Sequence, residues 1–265
     1  MKLPLYQVDA FTSSLFHGNP AAICPLDEWL PDATLQSIAA ENNMAETAYY
    51  VRRGHGADAK IELRWFTPGV EVDLCGHATM ATAYVMFTLR REETGSRIVF
   101  HTKSGELAVE RDGELLSLDF PALPPQACAV PPGLVDALGK QPEAILGARD
   151  YLCVYGAEDE LVALAPNMEK LAQVDRFAVI VTAPGSGDCD FVSRFFAPSK
   201  GVPEDPATGS AHCTLIPYWS KRLGKTKMFA RQRSPRGGEL WCEDHGDRVR
   251  ISGHAASYLE GTITV

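Results

Sequence analysis

The chain has 265 residues, 45% hydrophobic and 22% charged, enough apolar material for a packed core in one large or two ordinary domains. A formal net charge of −9 and a pI near 5.3 argue against a general nucleic-acid binder, which carries a basic patch or stripe. They do not exclude a small anionic substrate, because backbone N–H groups can outweigh net charge locally.

Seven cysteines, Cys24, Cys75, Cys128, Cys153, Cys189, Cys213 and Cys242, are scattered without a Cys-x-x-Cys pair. Neither a disulfide framework nor a zinc ribbon is expected. The first residues lack a signal-peptide core, and no apolar run approaches the roughly 20 residues that span a bilayer. The expectation is a soluble, cytoplasmic protein with no membrane partner.

In chain order, Leu5 to Phe11 alternates as a strand, Phe16-His17-Gly18-Asn19-Pro20 turns, and Ala21 to Leu26 is a second strand. Pro31-Asp32 opens a helix with Leu35, Ile38 and Ala39 at helical spacing, ending near Asn42-Asn43. Glu46 then stands at a helix-to-strand junction beside an apolar run. Lys60 to Phe66 is a strand that feeds Asp73-Leu74-Cys75-Gly76-His77-Ala78, and from Gly76 to Phe87 the chain is apolar almost all round, as a buried helix is. Arg97 to Thr102, Glu106 to Glu110 and Leu115 to Phe120 are strands, the last two joined by an Asp112-Gly113 hairpin turn. Pro121 to Pro125 reads as a linker. In the second half, Leu134 to Leu138 and Asn167 to Leu171 are short helices. Tyr151 to Tyr155, Phe177 to Thr182 and Phe191 to Phe196 are strands. Ala211 to Leu223 is a helix that Pro217 should bend or shorten, and Tyr258 to Val265 is a closing strand.

The two halves echo each other. Arg64-Trp65-Phe66-Thr67-Pro68 matches Arg194-Phe195-Phe196-Ala197-Pro198 at an offset of 130, on which Tyr49-Tyr50-Val51 falls on Val179-Ile180-Val181. After Gly76 and Gly209 the offset is 133, and Gly105-Glu106-Leu107 then matches Gly238-Glu239-Leu240. Each half thus carries a carboxylate, a turn, a glycine, a polar residue and a helix. A glycine at a helix start leaves N–H donors open to an anion, helped by the helix dipole. There is no phosphate-binding loop, dinucleotide fingerprint, nucleophilic-serine elbow or His-Glu-x-x-His, so no metal or other cofactor is implied.

Val8-Asp9-Ala10-Phe11, Gly18-Asn19-Pro20-Ala21, Glu46-Thr47-Ala48, Arg64 to Pro68, Asp73 to Thr79, and Glu204-Asp205-Pro206-Ala207-Thr208-Gly209-Ser210-Ala211-His212 together resemble the PhzF-like isomerases, relatives of diaminopimelate epimerase. The resemblance runs almost end to end. It implies an α+β fold of two pseudo-symmetric domains, here 1–122 and 126–265, each a curved, mostly antiparallel sheet around a central helix, the final strand being free to pack on the first half. It implies a homodimer and an active site in the cleft between the halves. It implies a cofactor-independent isomerase that moves a proton between carbons of a small, dihydro-hydroxyanthranilate-like carboxylate. Glu46 would be the proton-transfer group, with His77 and Asp205 assisting. Asn19, Gly76, Gly209 and Ser210 would bind substrate.

The family usually has serine before the glutamate, where this chain has Ala45. Epimerases of this fold use two cysteines as acid and base; here the pair is Cys75 and Thr208, which disfavours that chemistry. Two alternatives stand beside the isomerase: a racemase or epimerase of amino or hydroxy acids using Cys75 with another base, and a carboxylate-binding protein without chemistry. Desolvation by apolar neighbours is expected to raise the Glu46 pKa and to place an acid limb of kcat/KM above about 4.3.

Overall fold

The computed structural model describes residues 1–56 and 59–265. The chain divides into two compact units, Met1–Asp119 with Ser252–Val265, and Phe120–Ile251. Each is α+β.

The first unit contains β1 (Lys2–Ala10), β2 (Asn19–Leu26), α1 (Asp32–Asn42), β3 (Glu46–Arg53), β4 (Lys60–Phe66), β5 (Glu71–Val72), α2 (Gly76–Tyr84), β6 (Arg97–Thr102), β7 (Gly105–Asp112) and β8 (Leu115–Pro121). β1 runs antiparallel to both β2 and the last strand of the chain, Ala255–Thr264. β2 and β3 are parallel, and β3 and β4 antiparallel. α2 packs on β1, β2 and β3, and every residue from His77 to Ala83 is buried. Its two buried hydroxyls are satisfied within the helix: Thr79 Oγ1 donates to the Cys75 carbonyl (2.6 Å) and Thr82 Oγ1 to that of Ala78 (2.7 Å). The apolar run continues past Tyr84 as a π-turn, Val85–Leu89, with the Arg90 N–H bonded to the Val85 carbonyl at 2.8 Å.

The second unit contains β9 (Gln126–Ala127), α3 (Leu134–Leu138), β10 (Ala144–Gly147), β11 (Tyr151–Val154), α4 (Glu158–Val162), α5 (Met168–Leu171), β12 (Val179–Pro184), β13 (Phe191–Ala197), β14 (Val202–Asp205), α6 (His212–Leu223), β15 (Lys227–Gln232), β16 (Gly238–Asp244) and β17 (Arg248–Gly253). α6 buries Cys213, Leu215, Ile216 and Trp219. The Trp219 ring stacks on Phe191 at 5.6 Å, and its indole N–H donates to Thr182 Oγ1 at 2.9 Å. Of the two effects expected at Pro217, a bend or a shortening, the shortening does not occur: α6 runs on to Leu223, the end expected for it. Proline leaves the carbonyl four residues earlier, that of Cys213, without its helical donor. The Leu123 N–H fills that place at 2.8 Å.

The internal repeat has a matching physical device in each unit. Arg64 gives Nε and Nη2 to the two oxygens of Glu71 (2.7 and 3.0 Å), and Arg194 does the same to Glu204 (2.7 and 3.0 Å). Each guanidinium also lies over a phenylalanine ring, Phe66 or Phe196.

One alignment must be corrected. Tyr49 stands opposite Arg64, whereas Arg194 faces Val181 and not Val179. Tyr49 therefore corresponds to Val181, a slip of two residues that runs of Val, Ile and Tyr cannot disclose. A second difference lies at the closing strand, which begins at Ala255; the small Ala255 and Ala256 give little alternating signal.

Candidate active site

In the first unit the structure brings Glu46 and His77 together. Glu46 is the first residue of β3, beside Ala21 of the parallel β2. His77 is the second residue of α2, after Gly76. His77 Nε2 lies 3.1 Å from Glu46 Oε2, and Nδ1 lies 3.5 Å from Cys75 Sγ. Cys75 and His77 are buried, while the Glu46 side chain keeps 19% of its exposure, although its Oε2 is itself buried. Asn19 is fully buried at the start of β2. Gly18 before it has φ +64°, and a Cβ there would sit 2.2 Å from the Ala10 carbonyl oxygen, so this turn requires glycine.

Burial pushes the Glu46 carboxyl upward, but the adjacent His77 charge and hydrogen bonds from His77 and Cys75 hold it below its usual value. The expected upward shift, and with it an acid limb above the ordinary glutamate range, is therefore corrected. A cation at ion-pair distance outweighs the apolar surroundings. Burial pushes His77 downward, yet Cys75 and Glu46 raise it well above 6.5. Burial and then the Glu46 charge raise the Cys75 thiol. The cluster rests as a thiol, an imidazolium and a carboxylate.

In the second unit, Asp205 closes β14 and the chain turns to Gly209–Ala211, a 3-10 turn that carries Ser210 into α6. Thr208 Oγ1 donates to Asp205 Oδ2. Gln232, buried at the end of β15, clamps this turn. Its Oε1 accepts from the Thr208 N–H at 2.8 Å, and its Nε2 donates to the Asp205 carbonyl at 2.7 Å and to Thr208 Oγ1 at 3.1 Å. Arg149 Nη2 donates to Ser210 Oγ at 3.3 Å while pairing with the buried Asp150. His212 Nδ1 meets the Thr208 carbonyl at 2.9 Å. Since that oxygen can only accept, Nδ1 carries the hydrogen. The contact repeats, four residues back along the chain, what Thr79 does to Cys75. Burial lowers the His212 pKa to about 4, so this histidine is neutral.

The corrected register makes the chemical asymmetry explicit. Glu46 corresponds to Ala178, Cys75 to Thr208 and His77 to Ser210. The acid–base groups stand in the first unit; in the second, hydroxyls take the places of the thiol and the imidazole, and a methyl group takes that of the carboxylate. Sequence reasoning missed Gln232 and Arg149, which lie on strands and loops outside the glycine motifs. It also missed that Glu46, Cys75 and His77 offer donor atoms all within 4.8 Å of one another, because Glu46 reaches the other two only through the fold.

Residues 8–261 match the family model described as PhzC-PhzF, phenazine biosynthesis-like protein. The chain is 52% identical to an uncharacterized isomerase of Pseudomonas aeruginosa, with 99% of each chain covered. It superposes on the crystal structure of a PhzF-family phenazine biosynthesis protein from Enterococcus faecalis with a TM-score of 0.95, at 44% identity and full coverage of both chains. A predicted epimerase from P. aeruginosa, 18% identical with a TM-score of 0.75 over 99% of each chain, shares the fold. The enzyme class that follows is isomerase, and the chain belongs to the PhzC-PhzF family of phenazine biosynthesis-like proteins.

Proposed function

We propose that the protein is a cofactor-independent isomerase that moves a proton from one carbon to another on a small carboxylate, with Glu46 as acid and base. The supporting observation is the Glu46–His77 contact of 3.1 Å at the start of α2. His77 keeps Glu46 ionised and therefore ready to accept a carbon-bound proton. The electron pair left on carbon delocalises along the substrate, and protonated Glu46 returns the proton to a second carbon. No atom or electron is gained overall. Asp205, held by Thr208 and Gln232, would accept from an amino or hydroxyl group of the substrate. Asn19 and the N–H groups of Gly76, Gly209 and Ser210 would hold its carboxylate. The reading includes a cytoplasmic homodimer and a dihydro-hydroxyanthranilate-like substrate.

The cysteine racemase loses ground on two observations. Burial keeps Cys75 a thiol, and the Thr208 hydroxyl is already engaged by Asp205 and Gln232.

The test is to incubate the enzyme with a dihydro-hydroxyanthranilate-type acid in heavy water and follow carbon-bound deuterium by NMR. Glu46→Gln should slow incorporation by about 10²–10⁴-fold. Equal incorporation by wild type and Glu46→Gln would remove Glu46 from the mechanism. A large loss in Cys75→Ala with Glu46→Gln unaffected would restore the racemase.

A further inference from the structure

We propose that Glu46, Cys75 and His77 form a site for a thiophilic divalent cation of the Zn²⁺ class, and that occupation of this site shuts off proton transfer. The inhibitory part rests on the reading of Glu46 given above; the binding part rests only on the donors. Three different ligand types, a carboxylate, a thiol and an imidazole, converge within 4.8 Å from two elements. Among the described residues, no other group of three His, Cys, Asp or Glu donors does so.

The geometry of one pair is already that of a chelate. Cys75 Sγ and His77 Nδ1 are 3.5 Å apart. A tetrahedral zinc with Zn–S about 2.3 Å and Zn–N about 2.0–2.1 Å places its sulfur and nitrogen roughly 3.5 Å from each other. Glu46, the more exposed of the charged pair, lies 3.1 Å from the other ring nitrogen, Nε2, and supplies the third ligand by swinging its carboxylate from Nε2 toward the Nδ1 side of the ring. A fourth position is left for water, as in open zinc sites.

Charge decides whether a cation can be tolerated here. The positive end of α2 opposes one. Thiolate and carboxylate together cancel a dication, and softness favours zinc over magnesium or calcium. Binding displaces the protons of the Cys75 thiol and the His77 imidazolium, and no redox change is involved. With its oxygen on the metal, Glu46 can no longer accept a proton from substrate.

The experiment is a titration of metal-free, reduced protein with Co²⁺, read by the thiolate-to-cobalt charge-transfer band in the near ultraviolet. One equivalent should saturate the band, and Zn²⁺ should bleach it. Cys75→Ala should abolish it. His77→Gln and Glu46→Gln should weaken Co²⁺ binding by at least about tenfold, the lower end of the loss seen even for outer-sphere partners. Cys213→Ala should leave the band unchanged. Should Cys75→Ala fail to fold, Cys75→Ser replaces it, with the charge-transfer band again expected to vanish. Absence of a saturable band, or its persistence without the Cys75 sulfur, overturns the site. Deuterium incorporation by wild type should stop on adding Zn²⁺ and return with a chelator; undiminished incorporation with the site filled overturns the inhibition. Because the cobalt band needs no turnover, and Glu46→Gln is assayed without metal, failure of this proposal and failure of the isomerase reading are separable.

Discussion

His212 is sealed inside the second unit with its Nδ1–H on the Thr208 carbonyl and its ring tilted against Phe191. Burial depresses its folded pKa to about 4. The unfolded chain, with the ordinary value of about 6.5, takes up the proton first. Stability is therefore full above pH 6.5 and is lost as the pH falls from there towards 4, at about 1.4 kcal/mol per pH unit. Urea titrations across that window should show the slope. His212→Thr, which copies the hydroxyl-to-carbonyl contact of Thr79, should flatten it; an unchanged slope would assign the acid sensitivity elsewhere. Gln232 is the other residue with a clear consequence. Gln232→Met leaves the Thr208 N–H without its acceptor, which should cost about 1–3 kcal/mol. If Asp205 binds substrate, loosening its turn should also lower kcat/KM, by up to about 10²-fold for a shift near 1 Å. A variant that loses stability but keeps kcat/KM would make Gln232 structural only. The glycine motifs singled out Asp205 and Ser210 in the sequence. Gln232 was not, because it acts from a strand end two dozen residues downstream, and no local pattern records such a reach.

At the scale of elements, α6 shows how a proline is accommodated in a helix interior. The Cys213 carbonyl that Pro217 cannot serve is taken by the Leu123 N–H, so a residue just after β8 completes the ladder of a helix far along the chain. Leu123→Pro should strand that carbonyl and cost about 1–3 kcal/mol. Adding Pro217→Ala restores an N–H at the right place and should recover most of the loss. A double-mutant cycle by urea unfolding measures the coupling; additive losses would mean that the two residues do not share this carbonyl. Pro217 was visible in the sequence as a disturbance, but its remedy was not, since the donor comes from a segment with no periodicity of its own. The long apolar run after Gly76 was easier to read, because a helix apolar on all sides has few places to go but the core. Its last turn widened to π geometry without a signal in residue type.

Across the whole molecule, the repeated Arg–Glu pairs let two similar environments be compared. Arg194 also gives Nη1 to the Leu161 and Leu164 carbonyls, at 3.1 and 2.8 Å. Arg64 instead reaches the exposed Asp32. Arg194→Met should therefore cost about 3–5 kcal/mol, as for breaking a buried pair, and Arg64→Met clearly less. Equal losses in denaturant titrations would show that the surrounding carbonyls add nothing. The doubling of the fold was legible because arginine, glutamate and glycine are hard to replace in these roles. The register of β12 was not, since its apolar residues are interchangeable. The pairing of β1 with Ala255–Thr264 carries a last consequence, for biosynthesis. A ribosome delivers β1 early, and β2 soon after it, yet β1 must wait for its other neighbour until the strands between have emerged. The contiguous segment Phe120–Ile251 has its own core and can close meanwhile. Nascent chains that have emerged from the ribosome as far as about Ile251, with the remainder still held inside it, should accordingly protect the second unit from protease while the first remains open to digestion, reversing the usual amino-to-carboxyl order of domain folding.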